Sequence, residues 1–326
     1  MINNKYIILS LFIFINSCKT ESNQDKINVS EEIEIYVPKF NPDSAYYYIN
    51  KQVDFGPRVI SSPAWNNCAV WLEKKLLNYT ENVIIQEAET VTYDKKNHTL
   101  KNIIASFSPN KNNRIALFAH WDSRHIADHD SINVNEPILG ANDGGSGVGV
   151  LIEIARQFSI QKPKIGVDII LFDAEDYGQP ENSGYPIMEN SWCLGSQHWS
   201  KNPHKENYNA RFGILLDMVA GENATFYKEG YSNYFAPSII NKVWGIAHSL
   251  GYSKHFIYKN SPQIMDDHLY VNSLRKIPTI DIIEYDPNSK NNFNKHWHTH
   301  NDDMNNINKE TLEAVGQTLL ELIYKE

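Results

Sequence analysis

The sequence has little of what marks several protein classes. Its 326 residues include only three Cys, 16 Gly and 14 Pro. Three Cys cannot form a disulfide framework, although Cys68 and Cys193 could either pair or stay free thiols. So little Gly and Pro argues against a disordered chain. The formal net charge is −9, and no basic patch interleaved with aromatic residues stands out, which argues against nucleic acid as a partner.

Several catalytic and nucleotide-binding motifs are also missing. There is no Gly-x-Ser-x-Gly elbow and no reactive-Cys motif, which argues against covalent catalysis by Ser or Cys. The Gly-rich loop Gly140-Ala-Asn-Asp-Gly-Gly-Ser-Gly147 lacks the lysine of a phosphate-binding loop and the spacing of a dinucleotide fingerprint. The chain is 41% hydrophobic and has no linker-like stretch after about residue 40, which favours one large domain.

The N-terminus has the layout of an export signal. Lys5 precedes a short apolar stretch, 6–15, that is too short for a comfortable transmembrane helix. Ile15-Asn-Ser-Cys18 resembles a bacterial lipobox, in which the Cys is lipidated; the alternative is an ordinary signal peptide with a chance Cys. We expect residues 1–17 to be a lipoprotein signal peptide, 18–40 a polar tether and 41–326 the folded domain. The protein would be exported and lipid-anchored to a bacterial membrane, as a periplasmic or outer-membrane lipoprotein.

Apolar runs alternate with helical patterns along the chain. Runs typical of strands cover 83–85, 102–107, 114–120, 167–172, 212–216 and 277–283. Helical periodicity covers 63–76, 148–158, 239–250 and 311–324. This alternation predicts an α/β fold, in which a single domain has a twisted, mainly parallel central sheet flanked by helices on both faces.

Acidic or imidazole-bearing stretches follow the apolar runs. They are 140–147, 172–178, 215–218 and 297–300. Because runs that end in Asp, Glu or His deliver polar side chains to one sheet edge, we expect these stretches to meet. Carboxylates and imidazoles at such an edge are the ligands of a zinc site with an adjacent base. The pattern therefore predicts a metal-dependent enzyme.

Each stretch also has a simpler explanation when it is taken alone. Asp143 could cap the helix that follows it instead of binding a metal. The acidic turn 173–176 could be solvated, although the apolar run before it should be buried. Asp266 and Asp267 could be helix caps, and a single histidine such as His298 is more often structural than metal-bound.

Six motifs in order resemble the glutaminyl-peptide cyclotransferases (glutaminyl cyclases), which share their fold with cocatalytic zinc aminopeptidases. The resemblance runs from about Phe55-Gly-Pro-Arg58 to the C-terminus. The motifs are His120-Trp-Asp-Ser123, Gly140-Ala-Asn-Asp143, Asp173-Ala-Glu-Asp176, Leu215-Leu-Asp217, Asp266-Asp-His268 and Trp297-His-Thr299.

The resemblance implies a zinc-dependent catalytic domain with one zinc per chain, held by Asp143, Asp176 and His298. Animal members of the family have Glu where this chain has Asp176. The shorter side chain would require its loop to lie about one methylene closer to the metal.

The resemblance also assigns the other site residues. It makes Glu175 the general acid/base, and makes Asp217 and Asp266 a hydrogen-bonded carboxyl pair that receives the leaving ammonia and positions Glu175. Three aromatic residues would line the pocket for the N-terminal glutamine: Trp297 and, more loosely, Phe293 and Trp192.

The implied reaction cyclises the N-terminal glutamine of peptides and proteins to pyroglutamate with release of ammonia. The alternative is a two-zinc aminopeptidase, in which His120, Asp143 and Asp217 hold a second metal and an activated water hydrolyses the peptide bond. Trp297, directly before the ligand histidine, and the element Asp266-Asp-His268 favour the cyclase. A binding protein without activity is a third possibility. We expect a monomer whose partners are peptides with N-terminal Gln and, through the N-terminal lipid, a membrane.

Overall fold

The computed structural model describes residues 36–326. The predicted signal peptide, Cys18 and most of the predicted tether lie outside these residues. The helices are α1 (Pro42–Val53), α2 (Pro63–Leu77), α3 (Gly145–Ile160), α4 (Leu194–Lys201), α5 (Gly230–Phe235), α6 (Pro237–Ser249), α7 (Asp267–Tyr270) and α8 (Lys309–Lys325). The strands are β1 (Val83–Val91), β2 (Asn97–Phe107), β3 (Arg114–His120), β4 (Gly166–Phe172), β5 (Gly213–Asp217), β6 (Phe226–Lys228), β7 (Phe256–Asn260) and β8 (Thr279–Ile283).

A six-stranded sheet forms the centre, with strand order β1-β2-β4-β3-β5-β8. The four strands β4, β3, β5 and β8 run parallel, whereas β2 pairs antiparallel with both β1 and β4. The predicted fold class is therefore confirmed, with an antiparallel hairpin added at one edge. Strands β6 and β7 pair in parallel as a separate two-stranded sheet.

Helices cover both faces of the central sheet, and the strands alternate between two cores. On β3, Ile115, Leu117 and Ala119 join the larger core, while Ala116 and Phe118 join the smaller one. The larger core also takes residues from α1, α2, α3, α6 and α8, and the smaller one takes Trp199 from α4. Successive side chains of a strand point to opposite faces, so strands buried on both sides read as continuous apolar runs.

The carboxyl ends of the parallel strands place the polar residues at one edge. β3 ends at His120, β5 ends at Asp217, Asp173 follows β4 directly and Glu284 follows β8 directly. Parallel strands that share a direction end at the same edge, which is where open α/β sheets bind ligands. The fold thus brings the stretches that the sequence singled out to one place.

Three observations concern the ends and thiols of the domain. Phe40 is buried and its backbone N–H donates to Gln317 Oε1 at 2.8 Å, so the last residues of the predicted tether lie against α8. Cys68 and Cys193 are both free and buried. Within residues 36–326, we find no helix with the length and apolar character needed to span a bilayer.

Gly147 offers a test of how α3 is seated on the sheet. A Cβ at Gly147 would lie 2.4 Å from the Leu216 carbonyl oxygen, a backbone atom that cannot move aside cheaply. We expect Gly147→Ala to lower the free energy of unfolding by about 1–3 kcal/mol, measured by chemical denaturation.

The control for Gly147→Ala is Gly245→Ala in α6. A Cβ at Gly245 meets nothing nearer than the Tyr258 hydroxyl at 3.8 Å. Alanine at this helical position should leave stability unchanged or raise it by up to about 1 kcal/mol. Equal losses of unfolding free energy in Gly147→Ala and Gly245→Ala would contradict close packing of α3 on β5.

Candidate active site

The three predicted metal ligands converge. His298 Nε2 lies 3.2 Å from Asp176 Oδ1 and 3.6 Å from Asp143 Oδ2. One possible ligand atom from each of the three residues lies within 4.8 Å of the others. Asp143 Oδ2 and Asp176 Oδ2 are buried without a hydrogen-bond partner. Buried carboxylate oxygens need a cation or a donor, so this group of residues fits a divalent metal such as zinc.

The pKa shifts of these residues also indicate that a cation would stabilise the site. Burial raises the pKa of Asp143 to about 7, and the charge of Asp176 is the next cause. Burial lowers the pKa of His298, but Asp176 and Asp128 outweigh that effect and raise it to about 9. A proton on His298 offsets the two carboxylates, and a bound metal would take the place of that proton.

The loop that carries Asp143 depends on glycine. Gly144 has φ +82°, and a Cβ there would lie 2.6 Å from the Asp122 carbonyl oxygen and 2.9 Å from His120 Cε1. Gly144 is also the N-cap position of α3, and no side chain caps that helix. Asp143 therefore does not cap α3, and the capping interpretation of Asp143 is wrong.

Two buried carboxylates hold the ligand loops by their backbone. Asp302 accepts the N–H groups of Asn142 at 2.7 Å and Asp143 at 3.0 Å. Asp122 accepts the N–H groups of Glu175 at 3.1 Å and Asp176 at 3.0 Å. Each carboxylate thus fixes two successive residues, and one of the two is a predicted metal ligand.

Glu175 lies beside the ligands but belongs to a different group. Its carboxylate lies near Cys193 and Asp266, and Cys193 Sγ donates to Glu175 Oε1 at 3.2 Å. Burial raises the pKa of Glu175 well above its ordinary value, against the influence of His120. The neighbouring Asp173 and Asp176 are buried, so the interpretation of this stretch as a solvated turn is wrong.

Asp217 and Asp266, together with Asp143, Glu175 and Asp176, form the acidic floor of the site. Asp217 Oδ1 lies 3.2 Å from His120 Nε2. Asp266 accepts the Asp267 N–H as the N-cap of α7, so the capping interpretation is correct for Asp266 even though its side chain also lines the cavity. Burial raises the pKa of Asp266 to about 6, with the charge of Asp217 as the next cause. The direct hydrogen bond between Asp217 and Asp266 stays a prediction.

A second possible metal position shares Asp143. His120 Nε2 lies 3.1 Å from Asp143 Oδ1 and 3.2 Å from Asp217 Oδ1. These three residues are the ligand set that the aminopeptidase alternative requires. Burial lowers the pKa of His120, but Asp122, Asp143 and Asp217 together raise it well above its ordinary value.

A cavity of about 430 Å³ opens onto this floor. Trp192, Phe293 and Trp297, the three aromatic residues predicted to line the pocket, all contribute to its wall. Sequence reasoning missed Ile264 and Met265, which also line it. A mostly apolar wall with convergent polar groups at one end is typical of small-ligand sites.

A larger cavity of about 560 Å³ lies at the opposite edge of the sheet. Its deepest charge, Asp168, is bound by Arg114 at 2.6 and 2.7 Å and by the hydroxyls of Tyr208 and Ser106. Among residues 36–326, none of the groups of possible metal ligands lies there. The chemistry therefore belongs to the smaller cavity.

Sequence reasoning also missed the residues that support the ligands. Asp128 Oδ1 lies 3.0 Å from His298 Nδ1, the imidazole nitrogen remote from the other ligands. Asp128 precedes the ligands in the chain and carries no motif of its own. A carboxylate behind a metal-binding histidine is nevertheless a common arrangement, and an acidic residue near His120 could have suggested it.

Asp302 and its neighbour Asp303 allow a matched test of the backbone clamp. The amide of Asp302→Asn cannot accept two N–H groups as a carboxylate does, so the Asp143 loop should loosen. We expect the zinc Kd to rise roughly 10- to 100-fold, measured by competition with a chromophoric chelator.

The matched control is Asp303→Asn. Asp303 caps a 3-10 turn at Met304–Asn306 by accepting the Asn305 N–H, a role that asparagine also fills. Its zinc Kd should stay at the wild-type value. The clamp would be refuted by equal zinc Kd values for the Asp302 and Asp303 variants.

Comparison with known proteins agrees with this geometry. The sequence model of peptidase family M28 matches residues 102–323 of this chain. The structure is similar to a glutaminyl cyclase from Bacteroides thetaiotaomicron bound to N-acetylhistamine, with a TM-score of 0.87 and 53% identity over 89% of this chain and 100% of that one. It is similar to a Zn-dependent exopeptidase from Parabacteroides distasonis, with a TM-score of 0.88 and 52% identity over the same shares.

Curated relatives are more distant. The glutaminyl-peptide cyclotransferase of Bos taurus is 23% identical over 258 residues, which is 68% of this chain and 64% of the bovine protein, a little under two thirds of its length. The family match covers well over half of this chain and includes every proposed ligand. The chain therefore belongs to peptidase family M28, and its structure is similar to those of bacterial glutaminyl cyclases.

Proposed function

We propose that this enzyme is a glutaminyl cyclase, which converts the N-terminal glutamine of peptides and proteins to pyroglutamate and releases ammonia. The observation that carries the proposal is the position of Glu175. Its carboxyl group lines the same cavity as Asp143, Asp176 and His298, yet it is not one of that ligand group. The site thus offers a metal position and a free acid/base side by side.

The reaction needs one proton to move between two nitrogens. The α-amine of the glutamine attacks its own side-chain amide carbon, which forms the ring C–N bond. Glu175 takes a proton from that amine and returns it to the amide nitrogen as its C–N bond breaks, so ammonia leaves. A carboxyl with a raised pKa suits a group that first accepts and then donates a proton.

Asp143, Asp176 and His298 would hold a single zinc ion. When bound, zinc supplies a Lewis acid for the amide carbonyl oxygen. The chain's own residues supply the rest. Trp297 and Phe293 enclose the five-membered ring and exclude water from the floor.

Asp217 and Asp266 line the same cavity as His298. Both are buried carboxylates that line it, so they can accept hydrogen bonds from the departing ammonia. The negative charge of Asp266 also raises the pKa of Glu175, and the charge of Asp217 raises that of Asp266. We propose that they position this base and receive the leaving group.

A two-zinc aminopeptidase is the second candidate. The group formed by His120, Asp143 and Asp217 favours it, as does the similarity to a protein named a Zn-dependent exopeptidase. Two observations support the cyclase. The chain is 53% and 51% identical in sequence to two proteins named glutaminyl cyclases, and aromatic residues line the cavity beside His298.

We further propose that the protein acts outside the cytoplasm. The layout of residues 1–17 and Cys18 supports export followed by lipid anchoring, and the enzyme would then meet exported proteins that begin with Gln. Mass spectrometry of exported proteins with and without this chain tests that substrate class. Unchanged N-termini would count against it.

Glu175→Gln isolates the acid/base step. Glutamine keeps the oxygen that accepts from Cys193 but cannot carry the proton, so the fold and the zinc content should remain. We expect kcat for a Gln-peptide to fall roughly 100- to 10,000-fold, measured by ammonia release. Glu222→Gln, at an exposed site, is the control and should match the wild type. A fully active Glu175→Gln enzyme would rule out this role.

Metal content and product, measured on one preparation, separate the two candidates. The cyclase predicts one zinc per chain and a pyroglutamyl peptide with ammonia. Removal of the zinc by a chelator should abolish the activity, and zinc should restore it. Two metals per chain with release of free amino acids would establish the aminopeptidase instead.

A further inference from the structure

Arg124 is a fully buried arginine directly behind the site. Its Nε and Nη2 donate to the two oxygens of Asp128 at 3.1 and 2.6 Å. Its Nη1 donates to the carbonyl oxygens of Asp176 at 2.9 Å and Gly178 at 3.0 Å. A single guanidinium thus joins a carboxylate to the backbone on both sides of Tyr177.

One branch of these contacts reaches the metal ligands. Asp128 Oδ1 lies 3.0 Å from His298 Nδ1, and His298 Nε2 faces Asp176. Asp128 is therefore in position to orient the imidazole, as carboxylates behind metal-bound histidines do.

The other branch reaches the substrate wall. The guanidinium carbon of Arg124 lies 4.3 Å from the centre of the Trp192 ring. A Cβ at Gly178 would lie 1.8 Å from Trp192 Cδ2, so the ring rests directly on the Gly178 backbone. The Trp192 ring is nearly parallel to the His298 ring, with an interplanar angle of 5° and 6.1 Å between the ring centres. Trp192 is thereby held between Arg124 and the cavity.

We infer that Arg124 is a positioning residue that sets both the metal affinity, through Asp128 and His298, and the substrate wall, through Gly178 and Trp192. The half that concerns substrate rests on the proposed cyclase function. The half that concerns metal rests only on the ligand geometry.

Lysine cannot replace this arginine. The planar guanidinium offers parallel donors to Asp128, further donors to two carbonyls and a flat surface for Trp192. An ammonium is a point charge with three donors and no face for stacking. Arg124→Lys therefore keeps the charge and removes the shape, which makes it the informative substitution.

Arg114 provides a matched control. It is also buried and also forms a two-pronged pair with a carboxylate, Asp168, but at the opposite edge of the sheet. Arg114→Lys should lower the melting temperature to a similar degree. It should leave the zinc Kd and the KM of the folded enzyme unchanged.

The experiment measures the zinc Kd by chelator competition and the KM for a Gln-peptide on the zinc-loaded full chain. For Arg124→Lys we expect the zinc Kd to rise roughly 10- to 100-fold. We expect KM to rise roughly threefold to thirtyfold, the range of a desolvated cation–π contact.

Two further variants separate the branches. Asp128→Asn should weaken zinc binding and leave KM nearly unchanged, because Trp192 keeps its contact with Arg124. Trp192→Ala should raise KM and leave the zinc Kd unchanged. If Arg124→Lys does not fold, Asp128→Asn still decides the metal branch and Trp192→Ala the substrate branch.

The inference is overturned if folded Arg124→Lys behaves like Arg114→Lys, with a lower melting temperature but wild-type zinc Kd and KM. It is also overturned if Asp128→Asn binds zinc as the wild type does. A wild-type protein that cyclises no Gln-peptide would refute the proposed function alone, since the zinc measurements would still decide the metal branch.

Discussion

An excess of carboxylates at one buried sheet edge is the constraint on which the site depends. Asp143, Asp176, Glu175, Asp217 and Asp266 all line one cavity. Repulsion and desolvation would drive protons onto several of them unless a cation were shared among them. Asp143 Oδ2 and Asp176 Oδ2 are buried without a hydrogen-bond partner, as expected of oxygens that would bind a cation. A divalent metal would neutralise them, and Glu175, which lies outside the group of Asp143, Asp176 and His298, would remain available for its proposed proton transfer.

The backbone at this edge is held in uncommon conformations. Ala174, Cys193, Met218 and His298 all have positive φ, between +48° and +57°, although none is glycine. Ala174 directly precedes Glu175, Met218 directly follows Asp217, and His298 is itself a predicted ligand. Left-handed non-glycine residues cost free energy and persist where surrounding contacts over-determine them. Ala174 donates its N–H to Asp173 Oδ1 at 2.8 Å, and Cys193 donates its N–H to the Glu175 carbonyl at 3.0 Å, so hydrogen bonds hold two of these residues in place.

The sequence predicted the parts of this site that follow strands. Apolar runs ending at His120, Phe172 and Leu216 located β3, β4 and β5, and strand direction then implied convergence. It did not predict α1, although Ala45, Tyr48, Ile49 and Gln52 lie at helical spacing and are buried. It also did not predict β6 and β7, which have only 3 and 5 residues. It also could not decide whether Asp143 capped a helix or Asp266 lined a cavity, because both roles use the same residue type. Arg124 and Asp128 went unnoticed because their importance depends on neighbours distant in sequence.

The cyclase and aminopeptidase hypotheses differ in the role of His120, which would bind a second metal only in the aminopeptidase. The carboxylates that would hold a second metal with it, Asp143 and Asp217, also favour its protonated form, and Asp122 adds to them. An imidazolium there neutralises the same charges that a second cation would. Hydrolysis in the two-zinc alternative uses a water activated between two metals, whereas cyclisation has its nucleophile already attached to the substrate. The carboxylates around His120 can therefore be neutralised either by a proton on its imidazole or by a second cation, and only the second arrangement supplies the two metals of the aminopeptidase alternative.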